Sequence, residues 1–234
     1  IPQTFVMTAI QARIQRSTVT GQPWVGPNLK QRLTDVEWPA HYLDFETMMT
    51  ALPLYPETAP YIQIPTQYSI HECPAVGNGR SHKEYLCDPK HDSRRDLAQR
   101  LVADLPGEGS IITYSNFEKT IINGLATLFP DLADKLSGIM QRIFNLEVVI
   151  RDDYYHPAFH GSTSLKATLP SVVPEMSYAT LNIKDGDSAS ATFAYMAQGR
   201  YTDDEIVRLK KDLLAYCAQD TLALVRLHER LCEA

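Results

Sequence analysis

Three short acidic phrases hold the residues whose types and spacing best suit chemistry. Asp44-Phe45-Glu46 ends a run, His41 to Glu46, that alternates aromatic or aliphatic with polar residues and so reads as a strand. Residues i and i+2 of a strand share a face, so both carboxylates project together while Phe45 enters the core. Neighbouring carboxylates repel unless a cation sits between them, and hard oxygen ligands of this kind suit Mg²⁺ or Mn²⁺. A solvated strand face accounts for the same pair without a metal. Tyr216 and Asp220 stand four apart on a predicted helix, one turn from each other on one face. A phenol there can orient a water beside a metal-bound carboxylate; a core tyrosine and a solvated acid are the plainer alternative. In Tyr114-Ser115-Asn116-Phe117-Glu118 a strand hands over to a helix. Glu118 is a candidate metal ligand, but Ser115 and Glu118 also spell the S-x-x-E capping box, which needs no catalytic role.

Other residues could contact an anionic substrate. Lys166 follows Gly161-Ser162-Thr163-Ser164, a polar turn at a predicted helix start, where exposed amides and a point charge can hold a phosphate. Helix capping by Ser162 or Ser164 explains the turn equally well. His156 and His160 flank Pro157, which argues against a helical metal pair; each could touch phosphate or decorate a loop. Tyr154 and Tyr155 could stack on unpaired bases or fill the core, and Asp152 and Asp153 read as a solvated pair. His71, Cys73, His82 and Cys87 are close enough in sequence to suggest zinc. However, Val76-Gly77-Asn78-Gly79 between them reads as a hairpin turn in which Asn-Gly supplies positive φ, so two plain strands are expected.

The elements that must position these residues are legible from period and punctuation. Tyr61 to His71 and Lys83 to Cys87 are a second and third strand, forming an antiparallel meander with the first. Asp92 or Ser93 caps a helix on which Leu97, Leu101 and Val102 share a face, and residues 110–114 form a short buried strand. Helices over about 116–129 and 131–144 are separated by Pro130. The stretch 145–200 is irregular, with short helices near 164–169 and 188–197. A long helix starts at Thr202, with Asp203, Asp204 and Glu205 in its first turn and an apolar stripe from Leu209 to Leu227. The order predicts an α/β domain with a mixed central sheet, an antiparallel three-strand meander plus parallel strands, flanked by helices. Residues 1–37 read as a lead-in segment and 38–234 as the domain proper.

Bulk composition sets outer limits. The chain has 234 residues, 44% hydrophobic and 21% charged, enough for one large α/β domain. No apolar run reaches membrane-span length and no signal-peptide pattern opens the chain, so a cytoplasmic protein is expected. The net charge of −6, from 22 basic and 28 acidic residues, disfavours indiscriminate coating of nucleic acid. It leaves room for a nuclease, whose acidic ligands a bound cation would neutralise. Four cysteines without a C-x-x-C pair call for no disulfide framework.

A strand D-x-E, an acid at a strand-to-helix junction and a late Y-x-x-x-D, in this order, resemble motifs I to III of the DEDDy exonucleases. These form the tyrosine-bearing branch of the DnaQ-like 3′–5′ exonuclease superfamily, which has a ribonuclease H-like fold. The wording Leu43-Asp44-Phe45-Glu46-Thr47, Phe117-Glu118-Lys119-Thr120, Tyr155-His156-Pro157, Gly161-Ser162-Thr163-Ser164-Leu165-Lys166 and Tyr216-Cys217-Ala218-Gln219-Asp220-Thr221 is similar to an uncharacterised bacterial family of predicted nuclease domains within it. Members are often joined to a RecB-type nuclease module, so with Ile1 as first residue a preceding or fused module is expected. The resemblance spans about residues 38 to 232. It implies that Asp44, Glu46, Glu118 and Asp220 ligate two Mg²⁺ or Mn²⁺ ions and that Tyr216 positions water. It also implies a nucleic-acid partner with a free 3′ end, most simply single-stranded, which Lys166, Tyr155 and His160 would help to bind. Glu118 departs from the usual Asp of the second motif. That departure keeps two rivals in view: a non-catalytic binding or scaffolding module, and an endonuclease.

Overall fold

The computed structural model describes residues 5–234. The stretch before the first sheet strand, expected as a lead-in with little periodicity, carries α1 (Ala9–Thr20), β1 (Trp24–Val25) and α2 (Leu29–Leu33). Thr8 opens α1 with a capping box closed by Gln11. Only Ser17 of α1 is buried, so there is no apolar stripe for a periodicity search to find. Polar anchors hold the segment instead. Arg13 donates to the backbone carbonyls of Arg151 and Asp152, and Arg32 pairs with Asp152 at 3.1 Å and Asp153 at 2.9 Å. Asp153 is buried whereas Asp152 is exposed, so only one of the two aspartates is solvated as their sequence suggests.

Alternation in the next segments produces the sheet. β2 (Ala40–Met48), β3 (Ile64–Cys73) and β4 (Ser81–Leu86) form the antiparallel meander. The turn between β3 and β4 takes its positive φ at Gly77 (72°), not at Asn78-Gly79. α3 (Arg94–Asp104) then crosses to β5 (Ile111–Thr113), which lies parallel to β2. α4 (Phe117–Leu128) and α5 (Ala133–Gln141) follow, separated by a 3₁₀ turn at Pro130–Leu132. The second helix had been expected to run to 144, but it stops at Gln141. Ile143–Asn145 is instead β6, parallel to β5 and completing the order β4-β3-β2-β5-β6. Three half-buried residues are too few to display a period.

The irregular stretch also holds more structure than its sequence announces. Asn145 caps α6 (Leu146–Asp153) by accepting from Val148 N–H at 3.2 Å. β7 (Tyr154–Tyr155) pairs antiparallel with β1. α7 (Leu165–Val172), α8 (Gly186–Ala197) and α9 (Asp203–Glu233) complete the chain. α9 begins with the capping box of Thr202 and Glu205, where the expected acidic first turn lies. The result is a mixed α/β architecture, five strands flanked by helices, compatible with the ribonuclease H-like plan. Among the described residues no helix is long and apolar enough to cross a membrane.

β2 sits at the centre of the sheet, and its two faces differ in kind. Leu43 and Phe45 enter the larger apolar cluster with Leu97, Leu101 and Ile122. On the opposite face Tyr42, Asp44 and Glu46 stand level with His71, Ser69 and Gln67 of β3. α9 covers this polar face and supplies most of its hydrogen bonds, although Gln67 Oε1 and His228 Nε2 stay unpaired. Gln67 donates to the carbonyl of Leu213 (2.8 Å), Ser69 and His71 reach the Thr221 hydroxyl (2.7 and 2.8 Å), and Tyr42 meets His228 (2.8 Å). Each lost partner would strand a buried polar group, so these bonds fix how α9 lies.

One glycine ties β2 to β5. Gly109 has φ 75°, and a Cβ there would stand 1.7 Å from the carbonyl oxygen of Pro39. The next residue, Ser110, donates its N–H to Glu37, accepts from Glu37 N–H through its hydroxyl and accepts from His41 N–H through its carbonyl. Gly109→Ala is expected to lower folded stability by more than the roughly 1–2 kcal/mol of a left-handed backbone alone, because backbone must also move. Thermal melting against wild type measures this, and an unchanged midpoint would refute the account of the junction.

Candidate metal centre

Two devices aim the carboxylates. Alternation puts Asp44 and Glu46 on one face of β2, and a register shift directly after Glu46 bends the strand there. On α9, the four-residue spacing sets Tyr216 and Asp220 on the face turned to that strand. Asp44, Glu46 and Asp220 thereby converge, each offering an oxygen within 4.8 Å of the others. Asp220 is 8% exposed, while Asp44 and Glu46 are partly exposed.

Glu118 lies beside this group but outside it. It is 3% exposed, and its charge raises the pKa of Asp44. The serine half of the capping box is not made, since Ser115 Oγ accepts from Phe117 N–H and the N-cap of α4 is Asn116 with no side-chain cap. The backbone N–H and hydroxyl of Ser115 still act on the Glu118 carboxyl and lower its pKa. Oε2 of Glu118 is buried and has no hydrogen-bond partner. An unpaired carboxylate oxygen at that depth is costly unless protonated or ligated.

Burial is the main cause that raises the pKa values of these acids, and repulsion from neighbouring acids adds to it at Asp44 and Glu46. Asp44 is raised well above the usual carboxylate range by burial, then by Asp220, Glu46 and Glu118. Burial and the charge of Asp220 push Glu46 up to about 8, and burial pushes Glu118 to about 7. Asp220 rises through burial to about 6, restrained by hydrogen bonds from Tyr178 and Tyr216. The Tyr216 phenol is itself raised, by burial and then by Asp220, so it stays a neutral donor. The buried Cys217 thiol points at Asp44, 3.7 Å from Oδ2. Among the described residues no Lys or Arg forms an ion pair with any of the three converging acids. Their repulsion is only partly offset, by the more distant charge of Lys166 and by hydrogen bonds to Asp220, and the donor set is all hard oxygen. Both facts fit a divalent cation of the Mg²⁺ or Mn²⁺ type.

The substrate candidates divide. Lys166, exposed in the first turn of α7, lies close enough for its charge to lower the pKa of both Glu46 and Asp220. Its loop is fastened by Tyr114, whose hydroxyl donates to the Thr163 carbonyl (2.5 Å), and by Thr163, which donates to Glu147 (2.7 Å). The N-terminus of α8 also abuts the site, since a Cβ on Gly186 would stand 3.6 Å from Glu46 Oε2. Tyr155 is not available for base stacking. It pairs with Trp24 across β1 and β7, packs edge-on against Phe159 and is 4% exposed. His160 is exposed in a left-handed turn (φ 50°), and among the described residues no side-chain hydrogen bond or ion pair joins it to the acids. The zinc alternative finds no support: the only metal-capable group of three or more among the described residues is Asp44, Glu46 and Asp220. His71 and His82 stack at 4.5 Å, and Cys87 donates to two backbone carbonyls.

One further residue joins the group without a sequence signal of its own. Tyr178, between α7 and α8, donates its hydroxyl to Asp220 Oδ1 at 2.5 Å. An aromatic residue in an irregular stretch carries no periodic signal, and its partner is 42 residues away.

Fold and site together define an α/β domain whose central strand and last helix share a carboxylate cluster. The profile of a family described as a domain of unknown function, DUF2779, matches residues 41–164, more than half of the chain, and the chain belongs to that family. The matched span contains Asp44, Glu46 and Glu118 and stops before Tyr178, Tyr216 and Asp220. No curated protein and no solved structure matches the chain.

The raised pKa values have a direct consequence for stability. A carboxylate whose folded pKa exceeds its unfolded value binds more protons when folded, so its favourable contribution is lost as pH rises through the folded pKa. For Asp220, Glu118 and Glu46 that window runs from the ordinary carboxylate range to about 8. Without divalent cations the melting temperature should fall between about pH 5 and about pH 8. Added Mn²⁺ should raise it more at about pH 8 than at about pH 6, and Asp44→Asn should melt above wild type in chelator at about pH 8. Scanning fluorimetry across pH tests all three; a Mn²⁺ effect independent of pH would contradict the charge argument.

Proposed function

We propose that this domain is a divalent-metal-dependent nuclease that removes nucleotides from the 3′ end of single-stranded DNA or RNA. The observation that carries the reading is the convergence of Asp44, Glu46 and Asp220 within 4.8 Å from a strand and a helix far apart in sequence. Glu118, buried beside Asp44 with an oxygen lacking any partner, supports a fourth ligand. Asp44, Glu46 and Asp220 would hold one ion, and Asp44 with Glu118 the second. When bound, such ions stabilise negative charge on a phosphate and lower the pKa of attacking water.

The remaining roles belong to the chain. The neutral Tyr216 phenol, on the Asp220 face of α9, is the donor that would orient the water. Lys166 offers a positive point charge to a backbone phosphate at the edge of the cluster. The 3′ direction rests on resemblance to DEDDy exonucleases. The four cysteines are free, which accords with a reducing, cytoplasmic setting. A RecB-type nuclease module, fused or separate, is the companion that the same resemblance suggests.

Incubation with 5′-labelled single-stranded DNA and RNA in Mg²⁺ or Mn²⁺ tests the proposal. Wild type should produce a ladder shortening from the 3′ end and spare circular single strands, whereas Asp44→Ala should slow it at least about 100-fold. Equal cleavage by the two proteins would refute the assignment. Cutting of circles would turn it into an endonuclease, and Mn²⁺ binding without cleavage would favour a binding module.

A further inference from the structure

The segment between α7 and α8 is fastened along α9 at four points. Glu175 pairs with Arg230 (3.0 Å), the Ser177 carbonyl accepts from Gln219 (3.2 Å), Tyr178 donates to Asp220 (2.5 Å) and Asn182 donates to Asp212 (3.0 Å). Its sequence rises as the helix partners fall from 230 to 212, with only the two adjacent central contacts, 219 and 220, out of step. The segment therefore runs broadly antiparallel to the helix, and Tyr178 falls at the carboxylate cluster. Its ring lies 6.0 Å from that of Tyr216, tilted by 52°. Two phenols thus address one acid, and Tyr178 makes the contact in the distance range of charge-assisted O–H···O⁻ bonds. Tyr216 is part of the motif pattern; Tyr178 is not.

We propose that Tyr178 is a positioning and specificity residue: its hydroxyl holds Oδ1 of Asp220, so that the carboxylate meets a divalent cation through its other oxygen alone. This rests on the metal reading above. A carboxylate held by one oxygen suits the octahedral demand of Mg²⁺ and Mn²⁺. Ca²⁺ readily takes both oxygens of a carboxylate and six to eight ligands in all. Removing the hydroxyl leaves Asp220 with the Tyr216 phenol alone, so that it can turn and bind through both oxygens, which weakens the small-ion geometry and relaxes discrimination against Ca²⁺. Tyr178 acts through Asp220 and need not touch substrate.

The test is calorimetric titration of wild type and Tyr178→Phe with Mn²⁺ alone and with Ca²⁺ alone, at about pH 8, in the absence of nucleic acid. Tyr178→Phe should bind Mn²⁺ roughly 10- to 100-fold more weakly. Its Ca²⁺ affinity should fall less or rise, so that the Mn²⁺-to-Ca²⁺ preference shrinks. Unchanged or tighter Mn²⁺ binding, or an unchanged preference, overturns the assignment while leaving the metal reading intact. Failure of wild type to bind Mn²⁺ overturns both. Should Tyr178→Phe not fold, Mn²⁺ titration of Tyr216→Phe followed by near-ultraviolet difference absorption decides. A tyrosine signal must persist there, and its loss counts against Tyr178.

Discussion

Three carboxylates held within 4.8 Å, without an ion-paired cation among the described residues, repel one another, and much of this fold is built to keep them there. Left free, such side chains would swing toward water and separate. They stay because the backbones carrying them are fixed by interactions that have nothing to do with charge. β2 is hydrogen-bonded on both sides, by β3 and β5. α9 cannot shift along it without stranding Gln67, Ser69, Thr221 and His228 from their partners. Burial raises the pKa values of Asp44, Glu46, Glu118 and Asp220, and the charge of neighbouring acids adds to it at Asp44 and Glu46, so protonation relieves the crowding.

This division between apolar and polar faces explains why the site lies where it does. The face of β2 bearing Leu43 and Phe45 is committed to the larger core, so polar residues are tolerated only on the other. There a helix of 31 residues covers the sheet, and its buried positions change character along its length. Leu213 and Cys217 flank the acids, Asp220 and Thr221 meet the polar ladder, and Leu224, Leu227 and Leu231 join the second apolar cluster. The acids occupy the transition, with Asp44 and Glu46 partly exposed and Asp220 buried. Around them stand Lys166, the N-terminus of α8 and the Tyr178 segment, each delivered by a connection that the sheet topology brings to the same end.

Strong periods and short-range chemistry made much of the molecule readable in one dimension. The alternation of β2, the Thr202 cap and stripe of α9, and the breaker at Pro130 are local patterns, and local physics enforces them. They were sufficient to set Asp44 beside Glu46 and Tyr216 above Asp220. Elements whose stability comes from partners rather than pattern were missed. α1 buries one residue, β6 has three, and α6 lies in a stretch crowded with turn signals.

The sequence by itself determined which acids share a face within each element, because strand and helix periods are properties of adjacent residues. Only the tertiary structure decided that the two faces meet, that Glu118 stands beside the cluster and not within it, and that Tyr155 is core. It alone revealed Tyr178 as a partner of Asp220. Those outcomes depend on packing between segments more than 40 residues apart, and no period or cap encodes a distance across the fold.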